Sequence, residues 1–172
     1  MKCLPTNIIC GFFLIIFLQS ACVKSESDKN TNPPANKAAN YVNDNKTPPK
    51  DDVEELERII KLPFHPEEAI WRETDLNASK GEKKLTVVLK FLAEDAGKIV
   101  EQAEKYKPAA AVDIDAEDWF PAELIAQSQL SGDGNLKGKS YAASDFLEAP
   151  YTSGKITRID NTDYFVLELT SP

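Results

Sequence analysis

Leu85-Thr86-Val87-Val88-Leu89-Lys90-Phe91 decides the fold class of this 172-residue chain. Residues 85, 87, 89 and 91 alternate onto one face of an extended segment, and the run reads as a strand with an apolar side. From Ala93 to Tyr106 the period changes. Ala96, Ile99, Val100, Ala103 and Tyr106 recur at helical spacing, Glu94 and Asp95 suit the first turn, Lys105 and Lys107 suit the last, and Glu101 reaches Lys105 one turn on. Pro108 ends the helix. A strand that gives way to a helix across so short a junction predicts a domain of the α+β class.

Working outward toward the N-terminus, Asp51 and Asp52 precede Val53-Glu54-Glu55-Leu56-Glu57-Arg58-Ile59-Ile60, where residues 53, 56 and 60 share a helical face. Leu62-Pro63-Phe64-His65-Pro66 stops that helix, because each proline drives its predecessor toward extended geometry. Ala69 to Thr74 reads as a second strand, joined to the first through a hairpin loop at Asn77-Ala78-Ser79-Lys80-Gly81. Toward the C-terminus, Ala111-Val112-Asp113-Ile114 reads as a short strand, and Asp115 caps a helical region running through Trp119-Phe120-Pro121 to about Gln127. Ser131 to Asn135 is loop, and an irregular stretch follows. Ile156 to Ile159 and Tyr164 to Thr170 flank Asp160-Asn161-Thr162 as a terminal hairpin, with Phe165, Leu167 and Leu169 facing the core. The expected order is α-β-β-α-β-α-β-β: a largely antiparallel sheet of about five strands carrying two to three helices on one side.

The start of the chain has a different character. Ile8 to Leu18 carries no charge and falls short of the roughly 18–20 apolar residues that span a bilayer. Lys2 precedes this run and the small residues Ser20 and Ala21 close it, the order of a cleavable secretory signal. Leu18-Gln19-Ser20-Ala21-Cys22 resembles the lipobox of bacterial lipoproteins. That resemblance implies removal of residues 1–21 and a diacylglycerol on the Cys22 thiol, with fatty acyl chains such as palmitate anchoring the protein to a membrane. Val23 rather than Asp after Cys22 resembles lipoproteins sorted to the outer membrane, facing the periplasm, in a diderm host. A signal cut near Ala21 that leaves Cys22 unmodified is the alternative.

Cysteine usage narrows the chemistry. Cys3 and Cys10 lie in the segment to be removed and Cys22 is the lipid site, so residues 23–172 have no thiol for a disulfide, a nucleophile or a thiolate metal site. Residues 22–52, rich in Asn and Pro, bury too little to offset their ordering entropy and are expected to be a disordered tether with an r.m.s. span of roughly 30 Å. In it Lys24, Lys29, Lys37, Lys46 and Lys50 balance Glu26, Asp28, Asp44, Asp51 and Asp52. The acidic excess behind the net charge of -8 therefore sits in residues 53–172, which are expected to form one globular domain. A domain this acidic excludes nucleic acid as a partner.

Four constellations of residues bear on chemistry. Asp113, Asp115, Glu117 and Asp118 cluster as a calcium site would, but counting from Asp113 puts Asp118 at the turn-glycine position and Leu124 at the bidentate-acid position. Counting from Asp133 fails too, at Lys137 and Ser144. No metal or cofactor is expected. A glycosidase-like pair of acids is chemically open, since the mechanism needs only two facing carboxylates. His65 is the sole histidine and sits between Phe64 and Pro66, with no Gly-x-Ser-x-Gly elbow to serve, so it reads as a turn residue. Finally, Trp119, Phe120, Tyr141 and Tyr151 lie in stretches without clear periodicity, as core packing or as a ligand surface beside the acids. The expectation is a membrane-tethered envelope lipoprotein that serves as a binding, adaptor or inhibitory module for an envelope protein or glycan. A small carboxylate-dependent hydrolase of envelope polymers is the alternative.

Overall fold

The computed structural model describes residues 47–172; the expected signal segment, Cys22 and most of the expected tether lie outside the described residues. The described residues fold as α+β, with three α-helices and one fully antiparallel sheet of six strands. The strands are β1 (Glu68–Asn77), β2 (Glu82–Lys90), β3 (Ala110–Asp115), β4 (Asn135–Ala142), β5 (Ser153–Ile159) and β6 (Tyr164–Thr170). The helices are α1 (Val53–Leu56), α2 (Ala93–Glu104) and α3 (Ala122–Ser131). Strand order across the sheet is β1-β2-β6-β5-β4-β3. β6 thus lies inside the sheet, between β5, its hairpin partner, and β2 of the distant first hairpin.

Both faces of the sheet are apolar over part of their area, and each recruits a helix. On one face Leu85, Val87 and Leu89 of β2, with Phe91 just after it, meet Phe165, Leu167 and Leu169 of β6 and Ile156 of β5, all buried. Leu56 and Ile60 from the α1 segment and Ala96, Ile99 and Ala103 of α2 cover them. Phe91 and Phe165 meet edge to face, with ring centroids 5.7 Å apart. On the other face Val88, Leu136, Ile159, Tyr164 and Val166 pack against Phe120 and Leu124 at the start of α3. The helices therefore occupy both sides of the sheet, where one side was expected.

The third helix also starts later than expected. Asp115 is the last residue of β3 rather than a cap, and the helix begins at Ala122 with Pro121 at its N-cap. Pro121 explains this: it pushes Phe120 to extended geometry and breaks any helix passing through Trp119-Phe120. The helix ends at Gly132, whose φ of 84 suits a residue without Cβ. Beyond it, the stretch expected to be irregular is β4, and this is the sixth strand.

The domain begins a few residues before Val53. Lys50 makes an isolated antiparallel bridge to Trp71, with the two main chains exchanging hydrogen bonds of 2.8 Å. The Lys50 ammonium lies 4.7 Å from the Trp71 ring and pairs with Glu55 at 2.5 Å. Asp52 caps α1 through the Glu55 N–H, and its carbonyl accepts the Trp71 indole N–H at 3.2 Å. Pro48 and Pro49, without N–H groups, stop the pairing from running further along β1. A chain starting at Val53 is expected to be about 1–3 kcal/mol less stable in urea unfolding than one starting at Thr47, because it loses a helix cap and the bridge. Equal midpoints for the two chains would place Lys50 and Asp52 outside the folded unit.

Candidate functional site: a polar cleft on the concave sheet face

Arg72 of β1 is buried and ion-paired with Glu117, which follows β3 at the opposite edge of the sheet. Five interstrand steps of about 4.8 Å would hold the edges of a flat sheet roughly 24 Å apart, beyond the joint reach of the two side chains. The sheet must curl, as twisted sheets do when their edges approach. Its concave face is the one that carries α3. Trp119 completes the clasp: its ring lies 5.0 Å from the Arg72 guanidinium, its indole N–H donates to Glu117 at 3.0 Å, and it meets Phe120 edge to face.

The concave face is divided along its length. One end is apolar (Val88, Ile159, Tyr164, Leu136) and takes α3, while the other continues in the same strands as polar residues and stays open. The open end is a cleft of about 880 Å³. Its floor is the row Arg72, Thr86, Glu168 and Lys155 in register across β1, β2, β6 and β5, with the pair Thr74 and Lys84 one step outward and Val166 one step inward. Asp75 and Ala78 border it from the β1 edge, and Asp113, Ile114 and Asp115 from the β3 edge; Glu117 and Phe120 close the inner end. Thr157, fully buried on the same face, has a hydroxyl with no partner among the described residues.

Charge in the cleft is partly compensated. Glu168 bridges Lys84 at 2.6 Å and Lys155 at 2.8 Å. Burial pushes the Glu168 carboxyl up, but hydrogen bonds and attraction from these two lysines outweigh it and hold its pKa below the ordinary value. Asp75, Asp113 and Asp115 border the cleft from the sheet edges without an ion pair among the described residues, Asp75 lying beside Lys83 and Asp113 opposite Lys137. The sign of the Glu168 shift fixes a pH dependence. A carboxyl with a depressed folded-state pKa contributes stability that is present above its ordinary value of 4.5 and is lost as pH falls through the folded-state value. Glu73 has the same sign: burial raises its pKa, and Lys83 and Tyr151 together lower it further. Stability is therefore expected to fall as pH drops below about 4.5, and Glu168→Gln to flatten that decline in part, with Glu73 supplying the remainder. An unchanged acid limb in the variant, followed by thermal unfolding across pH, would remove Glu168 from the account.

Of the residues singled out by sequence, Asp113, Asp115, Glu117 and Phe120 border this cleft and Trp119 forms its clasp. Asp118 is exposed in the turn after β3 and does not border it. Tyr141 and Tyr151 belong to the core of the opposite face, at 5% and 3% exposure, and present no ligand surface with Trp119. The Tyr151 hydroxyl donates to Glu73 at 2.5 Å, and burial together with that carboxylate pushes its pKa far up. His65 is exposed, 3.2 Å from Glu57, in the connection after α1. Sequence reasoning missed Arg72, Thr74, Asp75, Lys84, Thr86, Lys155 and Glu168. The signal was present: in β2 and β6 the face opposite the core begins polar and turns apolar, as Lys84-Thr86-Val88 and Glu168-Val166-Tyr164.

Fold and site together define an α+β domain whose curled antiparallel sheet is closed by a helix at one end of its concave face and open as a polar cleft at the other. Comparison with protein-family models, curated proteins and solved structures finds no match to this chain. Among the described residues no helix is long and apolar enough to cross a membrane, and no group of His, Cys, Asp and Glu is arranged to hold a metal ion.

Proposed function

We propose that the protein is a lipid-anchored envelope module that binds a cationic, hydrogen-bonding ligand in the concave cleft. The supporting observation is the cleft itself, a polar cavity bordered by five acids (Asp75, Asp113, Asp115, Glu117 and Glu168) and three bases (Arg72, Lys84 and Lys155), with Lys84, Glu168 and Lys155 ion-paired on its floor. An excess of acids selects positive charge, and paired lysines and threonines offer hydrogen bonds without repelling it. The membrane attachment rests on the Leu18–Cys22 pattern alone. The reading has two tests. Intact mass of detergent-extracted protein should show a chain beginning at diacylated Cys22; an acyl-free chain in the soluble fraction removes the anchor. Amide exchange with oligolysine and with glucosamine oligosaccharides should slow β1, β2 and β6 around the cleft; no change with either removes the binding site.

Hydrolysis of an envelope polymer is a second reading, favoured by one observation: Asp75 and the pair Asp113 and Asp115 border a single cleft from opposite sheet edges. Such a mechanism needs one carboxyl kept protonated near neutral pH. Glu168, the most buried acid of the cleft, is held in the opposite direction by two lysines. This supports binding over hydrolysis. Cleavage of an envelope glycan that disappears in Asp75→Asn would reverse the preference.

A further inference from the structure

The two free edges of the sheet are unequal. Trp71 directs its N–H and C=O outward to Lys50, so by the period of two Glu73 and Asp75 also face outward along β1. That edge is blunted twice, by the Lys50 bridge with its prolines and by the irregularity between Asp75 and Asn77. The β3 edge has neither device. Its pairing with β4 is regular from Ala110 to Asp115 and holds no lysine, proline or bulge. Asp160 donates its N–H to the Lys137 carbonyl, so Lys137 faces β5 and the even residues of β4 face β3. This leaves the main chains of Ala111, Asp113 and Asp115 directed outward, and these three residues are exposed. None of their outward groups finds a main-chain partner among the described residues.

We propose that the β3 edge is a docking site for an extended, basic polypeptide segment, which adds to the sheet as a seventh strand beside the cleft. The proposal rests on the binding reading above and names its ligand. Free main-chain groups on a regular strand are the template for strand addition, and they supply affinity whatever the partner's sequence. Charge supplies the selection. A second copy of this chain pairing edge to edge would bring Asp113 and Asp115 against their own equivalents, a like-charge juxtaposition that is disfavoured, whereas lysine or arginine at alternate positions would find those acids. Asp113, Ile114 and Asp115 also border the cleft, so alternate side chains of an added strand turn into it.

The experiment uses the full chain in detergent and three synthetic peptides: an alternating Lys/Val/Thr decapeptide, the same peptide N-methylated at alternate residues, and a version with Glu in place of Lys. Exchange of the segment 110–115 and peptide anisotropy are followed together. The Lys peptide should bind and slow exchange there about tenfold, and the other two should bind about tenfold more weakly, as expected for loss of hydrogen bonds or of charge attraction. Equal binding of the N-methylated peptide, or unchanged exchange at 110–115, overturns strand addition while any response of β2 and β6 keeps the cleft as a binding site. Protection of 110–115 before any peptide is added also overturns it, since the edge would already be covered by the protein's own chain or a second copy. No response anywhere to any probe removes the proposal and the binding reading together.

Discussion

Tyr151→Ala is expected to lower the unfolding free energy by about 3–5 kcal/mol, the range for truncating a buried aromatic. Tyr151 is buried against the face that carries α2, and its hydroxyl holds the Glu73 carboxylate on β1. Truncation leaves a cavity and frees one carboxylate oxygen, while Lys83 at 2.5 Å retains the other. Tyr151→Phe should cost about 1–2 kcal/mol, which separates the hydroxyl from the ring. Because the ring lies on the convex side, neither change should alter ligand binding in the cleft. Trp119→Ala is the contrast: half-buried over Arg72, it should cost only about 1–2 kcal/mol. Urea unfolding of the three variants gives the answer, and a loss below about 1 kcal/mol for Tyr151→Ala would show that the ring is not part of the core.

Glu117→Ala should cost about 2–3 kcal/mol, because it leaves the Arg72 guanidinium buried at 7% exposure without its carboxylate and removes the acceptor of the Trp119 indole. The lower part of the range for buried pairs applies since the Glu117 side chain is 32% exposed. Arg72→Met, which replaces the charge with an apolar chain of similar length, should recover much of that loss when combined with Glu117→Ala. A second readout separates clasp from core: exchange in β1 and in β3 should quicken together, since this contact spans the two edges. Acceleration in β3 alone would show that the edges are held by something else.

The core-bearing parts of this fold are legible in the sequence because they obey one period. Leu85 to Phe91 alternates cleanly, and α2 repeats its apolar residues at helical spacing with acids at its start. The strand β4 breaks the rule for a physical reason. Asn135-Leu136-Lys137-Gly138-Lys139-Ser140-Tyr141 places Leu136 on the concave side and Tyr141 on the convex side, so no single face reads as apolar. Gly138 sits where a Cβ would lie 2.4 Å from the Arg158 carbonyl, so a glycine inside this strand is a requirement of close strand approach. The site is harder to read than the fold. Asp113, Asp115 and Glu117 stand out as a local cluster, but Arg72 lies 45 positions from Glu117, and nothing local in either segment announces the pairing. Tyr141 and Tyr151 stay open between core and ligand surface because their segment lacks periodicity, and they are buried in the core cluster that includes α2.

The place of β6 sets the order in which the molecule can be made. β1 and β2 are a local hairpin and can pair as soon as both have been synthesised; β3, β4 and β5 are likewise neighbours in sequence and in space. Only β6 joins the two groups, with Leu167 opposite Val87 on one side and Ile156 on the other. Until Thr170 has left the ribosome, the nascent chain holds two half-sheets whose apolar faces lack a common wall. The sheet therefore cannot close before β6 is present, and the long loop that β2–β6 pairing must close places this domain among slow-folding topologies.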